Sequence, residues 1–376
     1  MNLGIYVHIP FCVSKCLYCN FYSEPKLNLI NDYVLSLVKE IKQESEKYKN
    51  FNINTIFIGG GTPSVLPAGS VSVIINAIKN LFNVDSNCEI TIESNPNSIN
   101  YTNASEWFSA GVNRVSVGVQ TTSNRLLKII GRKHTYQDFI LAIKTLKRVG
   151  FKNINADLMI GLPTQKQREV KQALNHCFNL GVTHISAYTL ILEENTPLFN
   201  LVKNNQLQLP AEKKVLGMFN YLLKQLTLNG FVRYEVSNFA KPNFECLHNK
   251  NCWNMENYVG FGCSAHSFVN NTRFANISNI ENYINLIENE KSVIEFTEEI
   301  SNKELIEETI MLNLRTKEGI NLNSLKQKFN YDLLSVKQTE INELIDFGFI
   351  KHENNFLFCT TEGFYVLNQI ILKLVD

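Results

Sequence analysis

Cys12, Cys16 and Cys19 share one short stretch, Tyr6-Val-His-Ile-Pro-Phe-Cys-Val-Ser-Lys-Cys-Leu-Tyr-Cys-Asn-Phe21, in the spacing C-x3-C-x2-C. Thiolates are soft ligands suited to iron-sulfur clusters or to zinc. A cubane cluster that only carries electrons takes four cysteines, so a set of three leaves one iron open to a small molecule. A structural zinc site would need a fourth ligand, which His8 or a distant cysteine could supply. Residues Tyr6 to Pro10 alternate aromatic and aliphatic side chains and read as a strand. The cysteine loop therefore follows the C-terminal end of a first strand, where barrel-like α/β folds carry their catalytic loops.

Other polar residues fall at comparable places. Gly59-Gly60-Gly61-Thr62-Pro63 follows a second strand; glycines let the backbone approach a ligand, and Thr62-Pro63 supplies a helix cap with proline in the first turn. A tight turn needs glycine in any case. Glu93 ends a third strand, Gln120 a fourth, and Asp157 lies within a fifth. Carboxylates on barrel strands are costly to desolvate unless something pairs with them, which points to a ligand or to an internal salt bridge such as Asp157 with Arg132 or Glu93 with a lysine. By composition alone, Arg132 in Ile130-Gly-Arg-Lys-His134 is a surface residue at a helix end.

The elements that must position these groups follow from periodicity. Helical spacing over Asn28 to Lys49, Ser70 to Leu81, Thr102 to Ala110, Ser123 to Val149, Gln165 to Asn179 and Ala211 to Asn229 alternates with strands at Tyr6, Thr55, Glu89, Arg114, Asn155 and His184. Six βα units imply parallel strands with right-handed crossovers, an α/β fold, over residues 1–230. Residues 231–290, rich in Asn, Gly and aromatic side chains, are expected to form an irregular cover over the barrel mouth. Residues 291–376 read as three helices, a hairpin about Glu353-Asn354-Asn355 and a closing helix, similar to a winged-helix module.

The 376 residues carry a formal net charge of +1 and 44% hydrophobic content, and no basic block predicts nucleic-acid binding. The amino terminus lacks a basic leader and no apolar run approaches the roughly 18 residues of a membrane span, so a cytoplasmic location is expected. Nine cysteines, an odd number, with six scattered singly, fit free thiols in a reducing compartment.

Together the cysteine spacing and the GGGTP element resemble the radical S-adenosylmethionine family. The resemblance implies an open, partial (β/α)6 TIM-like barrel with a C-terminal helical, winged-helix-like domain. It also implies a 4Fe-4S cluster whose fourth iron binds the amino and carboxylate groups of S-adenosylmethionine, which one electron cleaves to a 5'-deoxyadenosyl radical. Over Gly4 to Pro163 the series Tyr6, Tyr18, Gly60, Gly61, Thr62, Glu93, Gln120, Arg132 and Asp157 falls in the order of cofactor contacts in the oxygen-independent coproporphyrinogen oxidase group.

Decarboxylating oxidases of that group carry a further cysteine two residues after the third, where this chain has Phe21, and a long extension before the motif, where it has eleven residues ahead of Cys12. Both features resemble the haem-chaperone branch and argue against coproporphyrinogen oxidase activity, the alternative reading. His248-Asn-Lys-Asn-Cys252-Trp253 is similar to that branch's HNxxYW element, with Cys252 replacing tyrosine. His248 or Cys252 could ligate haem iron, and His266 could instead line the cofactor pocket. The branch implies haem as cargo, haem-acceptor proteins and a reductase or flavodoxin-type electron donor as partners. Cofactor-dependent dimerisation is a family expectation with no signature in this chain.

Overall fold

A computed structural model describes residues 1–375. Six strands, β1 (Asn2–Ile9), β2 (Asn52–Gly60), β3 (Asn83–Ser94), β4 (Arg114–Gln120), β5 (Asn153–Ile160) and β6 (His184–Thr189), lie parallel in chain order. Helices return the chain between them: α1 (Ile30–Glu44), α2 (Ser70–Leu81), α3 (Tyr101–Ala110), α4 (Asn124–Ile129), α5 (Tyr136–Val149) and α6 (Gln167–Asn179), with α7 (Pro197–Lys203) and α8 (Glu212–Leu228) after β6. Short α7 was not anticipated. This is the open (β/α)6 arrangement: β6 pairs with β5 and with a later strand, not with β1.

Alternation along the strands separates two surfaces. Ile5, Val7 and Ile9, Ile56 and Ile58, Val115, Val117 and Val119, and Ile154, Ala156 and Leu158 are fully or almost fully buried in the main core, which includes Tyr33, Leu37 and Ile41 of α1 and Ile74, Ile75 and Ile78 of α2. The intervening positions, among them Phe57, Glu93, Arg114, Ser116 and Asp157, line the concave side. The outer helices are set by local chemistry as well. α5 starts at a Thr135/Asp138 capping box and stops at Gly150, whose φ of +123° suits glycine.

Residues 231–290 correct the expectation of an irregular cover over the mouth. They build short strands that extend the sheet at both edges: β7 (Val232–Arg233) and β8 (Asn238–Ala240) beyond β6, and β9 (Tyr258–Phe261), β10 (His266–Val269) and β11 (Thr272–Asn276) beyond β1. β9 pairs parallel with β1, and β12 (Ile294–Glu299) completes the twelve-stranded sheet, so the barrel domain runs past residue 290. Strands this short carry too few residues for a period to register.

Between these additions, α9 (Leu247–Trp253) sits at the opposite end of the barrel from the cysteine loop. Its residues meet Gly4, Thr55 and Glu89, which are in register in the N-terminal halves of β1, β2 and β3. The Glu89 carboxylate accepts the amides of Leu247 at 2.9 Å and His248 at 3.1 Å, placing negative charge at the helix N-terminus. α10 (Ile280–Glu288) packs on α1 through Glu40, which accepts from Tyr283, Asn276 and the Gly262 amide.

The C-terminal module comprises α11 (Asn302–Asn313), β13 (Ile320–Asn321), α12 (Leu322–Phe329), α13 (Leu333–Val336), α14 (Gln338–Asp346), β14 (Ile350–Glu353), β15 (Phe356–Cys359) and α15 (Leu367–Val375), with its own core around Leu325, Ile341, Leu357 and Ile370. Asn354 and Asn355, at φ of 50° and 67°, make the hairpin turn. Asn313 of α11 donates to the Trp253 carbonyl at 2.9 Å, so the module is seated on α9. Among the described residues no helix is long and apolar enough to cross a membrane.

Because Glu89 receives the first two amides of α9, Glu89→Ala should lower stability by about 1–2 kcal/mol. Hydrogen exchange should show faster exchange at Leu247 and His248 than in the wild type; unchanged protection there would contradict the anchoring role.

Candidate functional site

Within the sheet, a cavity of about 570 Å³ opens between the cysteine loop and the concave strand faces. Cys12, Cys16 and Cys19 lie on its rim with Tyr18, and Gly60, Gly61, Thr62, Glu93, Gln120, Arg132 and Asp157 also line it. Tyr6 is set back: its hydroxyl meets His8 Nδ1 at 2.9 Å and its ring stacks at 6.3 Å on Phe57, which does line the cavity.

Backbone bonds pin the cysteine loop. The Cys12 amide donates to Glu24 O and the Glu24 amide to Pro10 O, closing its base, while the Leu17 amide donates to Ile130 O and the Leu17 carbonyl accepts from the amide of Leu198 in α7. Gly131, at φ of +76°, leaves room for Leu17, which a Cβ would approach to 2.8 Å. The sulfurs have donors. Thr62 Oγ1 lies 3.2 Å from Cys12 Sγ, and Arg132 Nη1 donates to Cys16 Sγ at 3.5 Å. Burial pushes the Cys19 thiol up. His8, weighed as a zinc ligand, is occupied: its Nε2 donates to Tyr22 O and its Nδ1 takes the Tyr6 hydroxyl.

The glycine turn is built for close approach. A Cβ at Gly61 would lie 2.7 Å from Phe11 O, and one at Gly60, where φ is +110°, 2.7 Å from the His8 ring. The Gly60 amide donates to Glu93 Oε2 at 3.2 Å. Thr62 departs from the capping role expected of it: its side chain makes no cap bond, and its hydroxyl instead faces Cys12 and accepts from Asn95.

Arg132 is not a surface residue. It donates to Asn95 Oδ1 at 2.9 Å and to Gly118 O at 2.5 Å, and its buried Nε has no partner. Gly118 makes room for it, since a Cβ would meet Arg132 Nη2 at 2.5 Å and the guanidinium would have to shift. Neither internal salt bridge weighed from the sequence forms within 4.0 Å among the described residues. Asp157 instead accepts from Asn155 Nδ2 at 2.7 Å and from Ser116 Oγ. Asn155 Oδ1 accepts from His184 Nδ1 at 2.6 Å, which leaves His184 Nε2 to take the Tyr234 hydroxyl at 2.8 Å. Burial holds His184 neutral, so one polar chain runs from the added edge strands to Asp157. Burial, and secondarily the Asp157 charge, pushes Glu93 up to about 7; burial raises Asp157 as well.

Sequence reasoning missed Asn95, Arg114, Ser116, Asn155, Ser186 and Tyr188, all of which line the cavity. Their signal was the alternation Arg114, Ser116, Gly118, Gln120 against Val115, Val117, Val119, which puts polar residues where a closed core would want apolar ones. His266, considered for the pocket, is exposed at the start of β10. His248 is 6% exposed, bonded through Nδ1 to Thr55 at 2.9 Å and stacked at 5.1 Å on Phe57; Cys252 is half-buried on the same helix. Neither reaches the cavity wall, to which α9 contributes Asn249.

Three thiols with polar donors, a glycine cradle and an orphaned guanidinium nitrogen fit a thiolate-bound cluster beside a polar cofactor. Comparison with known proteins agrees. The radical SAM superfamily signature matches residues 6–177 and the HemN C-terminal domain matches residues 300–366, so fold and site define a radical S-adenosylmethionine protein. A structure of coproporphyrinogen III oxidase (HemN) from Escherichia coli superposes with a TM-score of 0.86 over all of this chain and 90% of that one, at 18% identity. The chain belongs to the HemW family of that superfamily. It is 35% identical to heme chaperone HemW of Buchnera aphidicola subsp. Schizaphis graminum over 100% of this chain and 98% of that protein. It is 32% identical to heme chaperone HemW of Bacillus subtilis over 97% of each.

Two outcomes follow from this geometry. Gly61→Ala should displace the cysteine loop and lower the iron retained after anaerobic reconstitution, read by iron analysis against wild type. Glu93 has a folded pKa of about 7 against an ordinary 4.5, so it holds an extra proton when folded and costs stability as pH rises through that window. Thermal melts from about pH 4.5 to 7 should therefore fall less steeply for Glu93→Gln than for wild type.

Proposed function

We propose that the protein is a cytoplasmic haem chaperone of the radical S-adenosylmethionine type, which receives haem and passes it to acceptor proteins. The observation that carries this reading is similarity along the whole chain to proteins named heme chaperone HemW, at 32–35% identity. Phe21 supports it, standing 71% exposed at the cavity mouth where the decarboxylating relatives are expected to have a further cysteine.

In this reading Cys12, Cys16 and Cys19 hold the 4Fe-4S cluster. The backbone at Gly60, Gly61 and Thr62 and the side chains of Tyr18, Glu93, Gln120, Arg132 and Asp157 hold S-adenosylmethionine, with Tyr6 behind them. When bound, the cluster supplies one-electron reduction, fed by a reductase or flavodoxin-type donor. Arg132 orients the Cys16 sulfur through its own bonds to Asn95 and Gly118, and Glu93 fixes the glycine turn.

For the cargo, His248 is the favoured iron ligand and Cys252 the second. Burial lowers the His248 pKa to about 4, keeping the imidazole neutral, and Thr55 on Nδ1 leaves Nε2 for a metal. Burial pushes the Cys252 thiol up to about 11, which disfavours the thiolate. Haem reaches His248 only if α9 swings away from Phe57.

Anaerobic, reduced protein given S-adenosylmethionine and coproporphyrinogen III should yield no decarboxylated porphyrinogen; formation of that product would replace this reading with the oxidase. Haemin should bind the wild type with a shifted Soret band that His248→Ala loses. Cys16→Ala should lose its iron while keeping the haemin response.

A further inference from the structure

Arg114 is a buried guanidinium inside the barrel with no ion pair within 4.0 Å among the described residues; Glu89 and Asp157 act on it only from farther away. It lies on β4 in register with Thr91 and Asn153, two residues nearer the strand's N-terminal end than Ser116, which pairs with Glu93 and Asn155. At ~3.3 Å per residue it starts roughly 6–7 Å below the layer of Glu93. The residue is 2% exposed, yet it lines the cavity. Its Nε is buried without a hydrogen-bond partner, and among the described residues no carboxylate lies within 4.0 Å of its guanidinium.

The neighbouring acidic groups act on it through space while their hydrogen bonds go elsewhere. Glu89 accepts the first amides of α9 and the Cys246 thiol. Glu93 receives the Gly60 amide, Asp157 is held by Asn155 and Ser116, and burial raises both carboxyls toward the neutral form. His184 and Tyr234 bond to each other. A guanidinium removed from water needs an anion, and its planar fork is matched to a carboxylate.

We propose that Arg114 is a carboxylate-binding residue at the base of the cavity, taking a carboxylate of the ligand that fills it. The propionates of a tetrapyrrole present that group, whereas the amino-acid end of S-adenosylmethionine belongs at the open iron beside the cysteine loop, at the other end of the strands. The inference rests on the cavity being the ligand site of the function proposed above. It distinguishes Arg114 from Arg132, whose nitrogens are already spent on Cys16, Asn95 and Gly118.

The test uses the full chain, anaerobically reconstituted, as wild type, Arg114→Met and Arg114→Lys. Binding is measured for haemin against haemin dimethyl ester, and for S-adenosylmethionine against its decarboxylated form. Arg114→Met should weaken haemin about ten-fold or more and leave haemin dimethyl ester and both forms of S-adenosylmethionine unchanged; a loss confined to S-adenosylmethionine would overturn the proposal. Arg114→Lys, which keeps charge but loses the fork, should fall between. Without ligand, Arg114→Met should melt no lower than wild type, because it removes an unpaired buried charge. Equal binding by wild type and Arg114→Met, or a variant that no longer folds, would assign Arg114 a structural role and overturn the proposal. Failure of the wild type to bind either ligand would instead overturn the function proposed above.

Discussion

One guanidinium joins the parts of this molecule that must act together. Arg132 comes from the turn after α4, yet its nitrogens reach the Cys16 sulfur, the Asn95 side chain beyond β3 and the Gly118 carbonyl within β4. The cysteine loop is otherwise tied to the barrel at its base and through Leu17. Without Arg132 the Cys16 sulfur would lose its side-chain donor, leaving Thr62 on Cys12 as the remaining side-chain contact to the sulfurs among the described hydrogen bonds, and the partly buried loop has little core of its own to fix it. Gly118 has no side chain because the guanidinium occupies that space.

The concave surface inverts the usual economy of a parallel sheet. In most α/β domains both sheet faces are apolar, because both are covered. Here the outer face keeps that character while the inner face carries carboxyl, amide, hydroxyl and guanidinium groups in layers. Part of this set is satisfied internally, as in the chain from Tyr234 through His184 and Asn155 to Asp157. The rest is not, as the two orphaned arginine nitrogens show. Incomplete satisfaction on one face of an otherwise well-packed sheet is the pattern of a surface shaped for something polar that the chain does not itself provide.

The six βα units were legible because each strand and helix is long enough to show its period, and the cysteine loop and glycine turn because their spacing is local. Three features were not. The edge strands β7 to β11 have two to five residues each, too short for a period to register, and although β7 with β8 and β10 with β11 pair locally, their attachment to β6 and β1 spans distant parts of the chain. Arg132 reads as a surface residue because its neighbours are polar, and only the fold turns it inward. Thr62 sits where a cap is expected, but the sulfur opposite it is a partner that sequence order does not reveal. Asn155 and Ser116 were readable from alternation, though their service to Asp157 depends on strand register.

Helix α9 has a double attachment. Its Asn249 forms part of the cavity wall, and the carbonyl of Trp253 at its other end carries the terminal module through Asn313. Both attachments lie on a single helix of two turns. The cavity wall and the seat of the terminal module are therefore two ends of one short helix, and the two domains share a structural element as well as a surface.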